Sequence, residues 1–595
     1  MKASQKRQLA ALLLCCTALL SCAEQSSETA ETVPPAESAV TAPPADNPYE
    51  AAGMRFSAKS GFYAGAFSLS ITAENGAEIY YTLDGSEPTA QSTRYTAPIV
   101  VKDRSDEPDV LSAHTEISPA GGDYTAYPPK SPSDKATVVR AVSVDRNGTQ
   151  SPVVTNTYFV GFDQKAAFYR EMKILSLVTD ERNLFDPETG IYVLGKVHEN
   201  WKNSADRDPE TPEYFMPANY TQKGRDWERG AVLQIFENGE ELLSQNAGIR
   251  IHGGATRSYP QKSLNLYARK VYGASKFSCD LFSGAVTAEA GGGTVKSFDS
   301  FMLRNGGNDA QFSRIRDRLN QSLAAGRAFL TQGMTPCILF INGEFWGQYD
   351  ITEKADADFI EAHCGIPKED VCIIKKEALD AGPIELFEVW EQLRDWIRQT
   401  DFSDDAAYDR LCAQIDMQSF ADYVSAEVYI NNANWDSSNM AMWMSDAVQE
   451  GNHFADGKWR FIMFDTDFSA GLYGTVRASD NSFRKLTESG CFLGDLFKAA
   501  LKNDRFRKQF SETFTEIASV NFAPETVHAK IDALEQAYRE PAAATFQRFW
   551  SEWPGGPGAE KHFAEQVQSV REFYDARGAY MMQYLAELTE AGSPN

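Results

Sequence analysis

Trp459-Arg460-Phe461-Ile462-Met463-Phe464-Asp465-Thr466-Asp467-Phe468 reads as a buried strand that ends in two carboxylates spaced i, i+2. On a strand that spacing puts both side chains on one face. Like charges about 6–7 Å apart repel in a partly buried place, and taking them out of water costs several kcal/mol. A divalent cation with a polyphosphate removes that penalty, because hard oxygen ligands suit Mg²⁺ or Mn²⁺. An acidic turn whose Asp465 or Asp467 bonds nearby backbone accounts for the same residues. The surrounding sequence has to decide between them.

Upstream, Ser419-Phe420-Ala421-Asp422-Tyr423-Val424-Ser425-Ala426-Glu427-Val428 places Phe420, Tyr423, Val424 and Val428 at helical spacing, with Asp416 or Ser419 available as a cap. It delivers the polar loop Asn431-Asn432-Ala433-Asn434-Trp435-Asp436-Ser437-Ser438-Asn439. Kinases use the same order: a helix, a loop with a proton-accepting Asp and a metal-holding Asn, then a strand-end Asp for metal and phosphate. The spacing departs from the protein-kinase pattern, since Asn439 follows Asp436 by three positions and Asp465 lies far downstream.

Several further blocks resemble the spore coat protein H (CotH) kinase family. They are Asn183 to Val193, Gly248-Ile249-Arg250-Ile251-His252-Gly253-Gly254-Ala255-Thr256-Arg257 running on to Lys262-Ser263-Leu264, Leu303-Arg304-Asn305-Gly306-Gly307-Asn308-Asp309 with Arg316-Asp317, and Phe340-Ile341-Asn342-Gly343-Glu344-Phe345-Trp346-Gly347-Gln348-Tyr349 ending near Glu353. The resemblance covers residues 165–590. It implies an α+β, atypical protein-kinase-like bilobal domain that uses ATP with Mg²⁺ or Mn²⁺ and phosphorylates serine-rich proteins. Carried over residue by residue, it implies Asp436 as the base and Asp465, Asp467 and Asn439 as metal-binding. Lys262 and Arg257 become the phosphate contacts, with Glu353 and Asp317 as partners of the lysine. Aligning on Trp435 instead puts Asn434 where the aspartate belongs and removes the base.

Other chemistry lacks support. Gly190 to Val197 nearly spells a phosphate loop, but Val197 stands where Ser or Thr is required. No H-E-x-x-H, C-x-x-C or G-x-S-x-G occurs. With 57 basic and 83 acidic side chains the net charge is −26, which argues against nucleic acid and bare anionic lipid as partners and favours basic protein substrates.

The N-terminus points out of the cytoplasm. Lys2, Lys6 and Arg7 precede an apolar run too short to span a bilayer, and Leu19-Leu20-Ser21-Cys22 resembles a bacterial lipobox. The expectation is a lipoprotein signal at 1–21, a lipidated Cys22 holding the protein to the membrane, and a disordered Pro/Thr/Glu-rich linker over 22–50. A plain secretory signal is the alternative. Residues 51–160 carry short alternating segments with Asp84-Gly85 and Asn147-Gly148 turns, which predict a small β-sandwich. Tyr80-Tyr81-Thr82-Leu83-Asp84-Gly85-Ser86-Glu87-Pro88 resembles the Ig-like domain at the C-terminus of chitobiases, which implies a spacer or a glycan contact. Six cysteines remain beyond Cys22, and free thiols and disulfides are both open.

Two functions follow as expectations. One is a surface-anchored ATP- and metal-dependent kinase acting on Ser/Thr of exported proteins. The other is a non-catalytic surface module for adhesion or for organising cell-wall or glycan-active assemblies.

Overall fold

Alternation of apolar side chains along Lys173–Val178 sets up the centre of the molecule. Leu175 and Leu177 enter the main core, whereas Ile174 joins a separate cluster on the opposite face. The computed structural model describes residues 49–591 apart from 122–123, 206 and 437. The expected signal segment, Cys22 and nearly all of the expected linker lie outside the described residues.

Lys173–Val178 is one stave of a closed seven-stranded barrel. The others, in spatial order, are Arg229–Glu237, Glu240–Ile251, Leu264–Tyr267, Ser300–Arg304, Glu344–Glu353 and Met334–Ile341. Neighbours pair antiparallel except at the closure, where Met334–Ile341 runs parallel to Lys173–Val178. Bulges at Ile235/Phe236 and Leu339/Phe340 supply curvature. Closure leaves no exposed strand edge in this part.

A second sheet has the order Leu330–Thr331, Arg460–Met463, Ala441–Ser445, Val371–Lys375, Ala378–Ala381. Its apolar strand Arg460–Met463 is buried on both faces. Phe461 stacks on Tyr423 at 5.0 Å, and Ile462 packs with Phe359 and Ile360 on the other side. The expected helix is Met417–Ile430, and Asp416 is its cap, accepting from the Gln418 and Ser419 amides. The C-terminal part is helical, with Asp504–Ser519, Pro524–Phe549 and Ala559–Ala591 burying Phe506, Phe510, Phe514, Val567, Val570 and Phe573. The chain is α+β with a β-rich N-terminal region.

That region, from Tyr49 onward, has a five-stranded sheet, a three-stranded sheet and a two-stranded pair around one core that includes Phe56, Leu69, Ile79, Val139 and Tyr158. It is not a spacer set apart from the barrel. Phe159 and Phe162 sit in one cluster with Tyr169 and with Ile174, Phe236, Ile338, Phe340 and Phe345 from the outward faces of four barrel strands. Phe159 lies 5.2 Å edge-to-face from both Phe236 and Phe340. Glu344 adds a polar clamp, accepting from the amides of Val110 (2.6 Å), Leu111 (3.1 Å) and Ser112 (2.8 Å). The expected boundary between 160 and 165 is therefore a connection inside a shared core. All six described cysteines, Cys279, Cys337, Cys364, Cys372, Cys412 and Cys491, are free thiols.

Candidate active site

The strand that carries the acidic pair stops at Met463, so Asp465 and Asp467 are not on the strand itself. They converge because Asp465 takes a left-handed backbone conformation, φ 58°, which turns the chain. What meets them is Arg304, from the end of barrel strand Ser300–Arg304. Its Nη2 donates to Asp465 Oδ1 at 2.7 Å and Asp467 Oδ2 at 3.0 Å, and lies 3.0 Å from Asp317 Oδ2. The pair predicted to need a cation has an internal one, which the sequence reading missed.

The glycines after Arg304 bring the backbone against the pair. The Asn308 amide donates to Asp467 Oδ2 at 3.1 Å and its side-chain Nδ2 to Asp467 Oδ1 at 2.9 Å. Gly307 has φ +60°, and a Cβ there would stand 1.4 Å from Asp467 Oδ2. Asp317 opens helix Arg316–Ala324 and accepts from the Thr466 amide at 3.1 Å and hydroxyl at 2.9 Å. It belongs with Arg304 and Thr466, not with Lys262.

Charge in this cluster is unbalanced. Three carboxylates around one guanidinium leave an excess of two formal negative charges. Burial and the neighbouring Asp465 push Asp467 up to about 8. Burial also raises Asp465, but Arg304, His252 and Lys376 outweigh it and hold its pKa below the usual value. Arg304 is disfavoured by burial, and the three carboxylates more than offset that, keeping it charged. Behind them Glu427 is fully buried and pushed up to about 8, first by burial and then by Asp317 and Asp436, although Asn432 donates to it at 3.0 Å. Its Oε1 has no hydrogen-bond partner.

The asparagine loop is fixed to this cluster. Asn439 Nδ2 donates to the Asp465 carbonyl and to Asn434 Oδ1, both at 3.1 Å. Asn434 is thus tied through Asn439 to the acidic turn. Asp436 is half-buried in the electrostatic neighbourhood of Glu427, Tyr423 and Cys491. Arg577, fully buried on the last helix, holds the loop's root. It donates to the carbonyls of Val428 (2.7 Å) and Tyr429 (2.8 Å) at the C-terminal end of the preceding helix, where a cation is favoured.

The structure does not bring the three predicted nucleotide contacts to the cluster. Lys262 is fully buried ahead of strand Leu264–Tyr267. Its ammonium donates to the carbonyls of Arg257 (2.7 Å) and Tyr259 (2.8 Å) and lies 3.9 Å from the Tyr220 ring centroid. Burial holds its pKa well below the ordinary value. Arg257 is likewise engaged by the carbonyls of Gly253, Tyr220 and Gln222. Both close the turn after His252 rather than face solvent. Glu353 is buried between His363 Nε2 (2.9 Å) and the Gly333 amide (2.8 Å). A charge pattern in sequence cannot distinguish such carbonyl clamps from phosphate contacts. Lys376, exposed in the turn between Val371–Lys375 and Ala378–Ala381, adds a smaller contribution to the lowered pKa of Asp465.

The donor set suits a hard divalent cation. It is all oxygen, carries excess negative charge, and opens to solvent at Asp465, whose side chain is 37% exposed. Among the described residues no ready-made cage of three or more metal-ligating side chains occurs. Mg²⁺ sites that take one or two carboxylates and complete their shell with phosphate and water have this character.

A family model described as CotH kinase protein matches residues 249–581. The chain belongs to that family. The matched span takes in Arg304, Asp317, Glu427, the asparagine loop and the acidic pair, so the whole cluster falls inside it. It begins within strand Glu240–Ile251, after two barrel strands and after the Asn183 to Val193 block. The physical unit therefore starts earlier than the CotH match, since the barrel cannot close without Lys173–Val178. A second model, Fn3 associated, matches residues 68–158 in the β-rich region. No curated protein matches the chain.

Proposed function

We propose that the chain is a CotH-type kinase that uses ATP and Mg²⁺ or Mn²⁺ to phosphorylate Ser/Thr hydroxyls of exported proteins. The observation that carries this reading is the convergence of Asp465, Asp467 and Asp317 with excess negative charge beside an anchored asparagine loop. The barrel and the five-stranded sheet with its helices are read as the two lobes of a kinase-like body. Asp465 and Asp467, with Asn439, would hold the metal. When bound, the metal and nucleotide supply a phosphoryl group with its charge neutralised.

The chain's own residues do the rest. Lys376 replaces Lys262 as the cation offered to phosphate. Asp436 would take the proton of the acceptor hydroxyl, and Arg577 keeps its loop in place. A net charge of −26 favours basic acceptors. The lipobox at Cys22 and the linker support an exported, membrane-anchored protein, and the β-rich region remains a candidate for cell-wall or glycan contact.

Two observations favour the non-catalytic alternative. Lys262 and Arg257 are engaged by carbonyls, and Asn434 is tied through Asn439 to the acidic turn. Incubating soluble residues 49–595 with γ-labelled ATP, Mg²⁺ or Mn²⁺ and a serine-rich basic acceptor, beside Asp465→Ala, separates the two. Metal-dependent label that the variant lacks establishes the kinase. No label and no metal-dependent nucleotide binding favours the non-catalytic surface module.

A further inference from the structure

A single nitrogen, Arg304 Nη2, stands within 3.0 Å of three carboxylates. Arg304 extends from a barrel strand, its side chain is 8% exposed, and its Nε has no hydrogen-bond partner. Nothing on its own element therefore fixes the guanidinium head. The carboxylates do. The two members of the acidic pair are held unequally. Asp467 is 2% exposed and keeps both donors of Asn308 whether or not Arg304 stays. Asp465 is the solvent-facing member, and its side chain takes the shortest of the three Arg304 contacts.

We propose that Arg304 is an internal cation that competes with the divalent ion for Asp465 and Asp467. It holds the pair together in the metal-free protein and sets how tightly the site takes metal. This rests on the metal reading above and adds a residue to it. The physical reason is that a fixed positive charge a few ångströms from the ligand oxygens repels an incoming cation, and burial weakens solvent screening of that repulsion. Asp465 is where exchange occurs, because a metal arriving from solvent reaches it first. Arg304 is a positioning residue in this account, since it acts through the two aspartates.

The test titrates Mn²⁺ alone, following free ion by its EPR signal, into wild-type protein, Arg304→Gln and Arg304→Lys. Melting temperatures are measured in parallel with EDTA and with Mn²⁺. The expected result is that R304Q binds Mn²⁺ at least ten-fold more tightly, melts lower than wild type in EDTA, and is restored by Mn²⁺. R304K, which keeps the charge on one shorter donor, falls between the two. Mn²⁺ affinity equal within two-fold across wild type and R304Q, or weaker in R304Q, overturns the competition. Should R304Q fail to fold, Arg304→Met decides in its place, and wild-type affinity in R304M overturns the competition. Binding by none of the proteins removes the metal reading itself and the competition with it, an outcome distinct from equal binding by all.

Discussion

Replacing Gly307 with alanine tests the site without touching a charge. The added Cβ would lie 1.4 Å from Asp467 Oδ2, whereas real Cβ contacts stay beyond 3.0 Å, so the carboxylate must retreat by about 1.6 Å. That separates it from Arg304 Nη2 and from the Asn308 amide, now at 3.0 and 3.1 Å. Breaking a buried ion pair on one side costs about 3–5 kcal/mol. The left-handed φ of +60° adds about 1 kcal/mol for a residue with a Cβ. The sum is about 4–6 kcal/mol. Unfolding entropy of about 2.1 cal/mol/K per residue gives about 1.1 kcal/mol/K for a body of roughly 540 residues, so the melting temperature should fall by about 4–5 °C. Calorimetry in EDTA measures this, with Gly65→Ala as control. Gly65 has open space around its Cβ position and no positive φ, so that variant should stay within about 1 °C. A Gly307→Ala protein that melts with wild type and binds Mn²⁺ equally would show that the close approach of loop and carboxylate is not a working part of the site.

Lys376→Ala should raise the KM for ATP about ten-fold while leaving the melting temperature unchanged, whereas Lys262→Met should alter the melting temperature and leave the KM alone; steady-state kinetics with calorimetry separates them. Glu427 has a folded pKa of about 8, above the ordinary 4.5, so the folded state binds more protons and its stability falls as pH rises from about 4.5 through 8. Glu427→Gln should lose part of that slope and melt above wild type at pH 8.5; only part, because Asp467 titrates in the same window. Phe159→Ala should cost about 3–5 kcal/mol by opening the shared aromatic cluster. A fragment starting at residue 165 should expose Phe236 and Phe340 and prove insoluble, as read by soluble yield.

What sequence reveals here follows from the range of the forces involved. Helix Met417–Ile430, strand Arg460–Met463 and the C-terminal helices are legible because apolar periodicity is local, and Asp416 caps the helix it adjoins. The barrel is not legible as such, since its closure joins Met334–Ile341 to a strand some 160 positions earlier. The fusion of the β-rich region to the barrel is hidden for a similar reason. Phe159 falls inside the expected module and Phe162 just beyond it, and only the fold shows that both share a core with Phe236 and Phe340. In the site, Asp465, Asp467 and Asn439 do come together, because the turn and loop that carry them are short-range features. Lys262, Arg257 and Glu353 do not join them. A lysine after a glycine turn suits phosphate and buried carbonyls equally, and burial decides which.

Arg304 alters the force of the electrostatic argument without reversing it. Two neighbouring carboxylates need a counter-charge, but that need names no particular cation, and the chain supplies part of it from within. A purely structural ion cluster would be expected to reach neutrality, because each uncompensated buried charge is costly. This cluster does not reach it. One guanidinium serves three carboxylates, Asp467 is pushed up to about 8, and Glu427 behind them is raised as well. With Asp467 mostly protonated at neutral pH one negative charge remains, and a divalent ion arriving from solvent at Asp465 would displace that proton. The same imbalance weighs against the adhesion module, since selection for folding alone would favour replacing one of the aspartates with a neutral partner for Arg304. A cluster that keeps a proton on Asp467 and still carries excess negative charge is better explained by a site that takes up a cation.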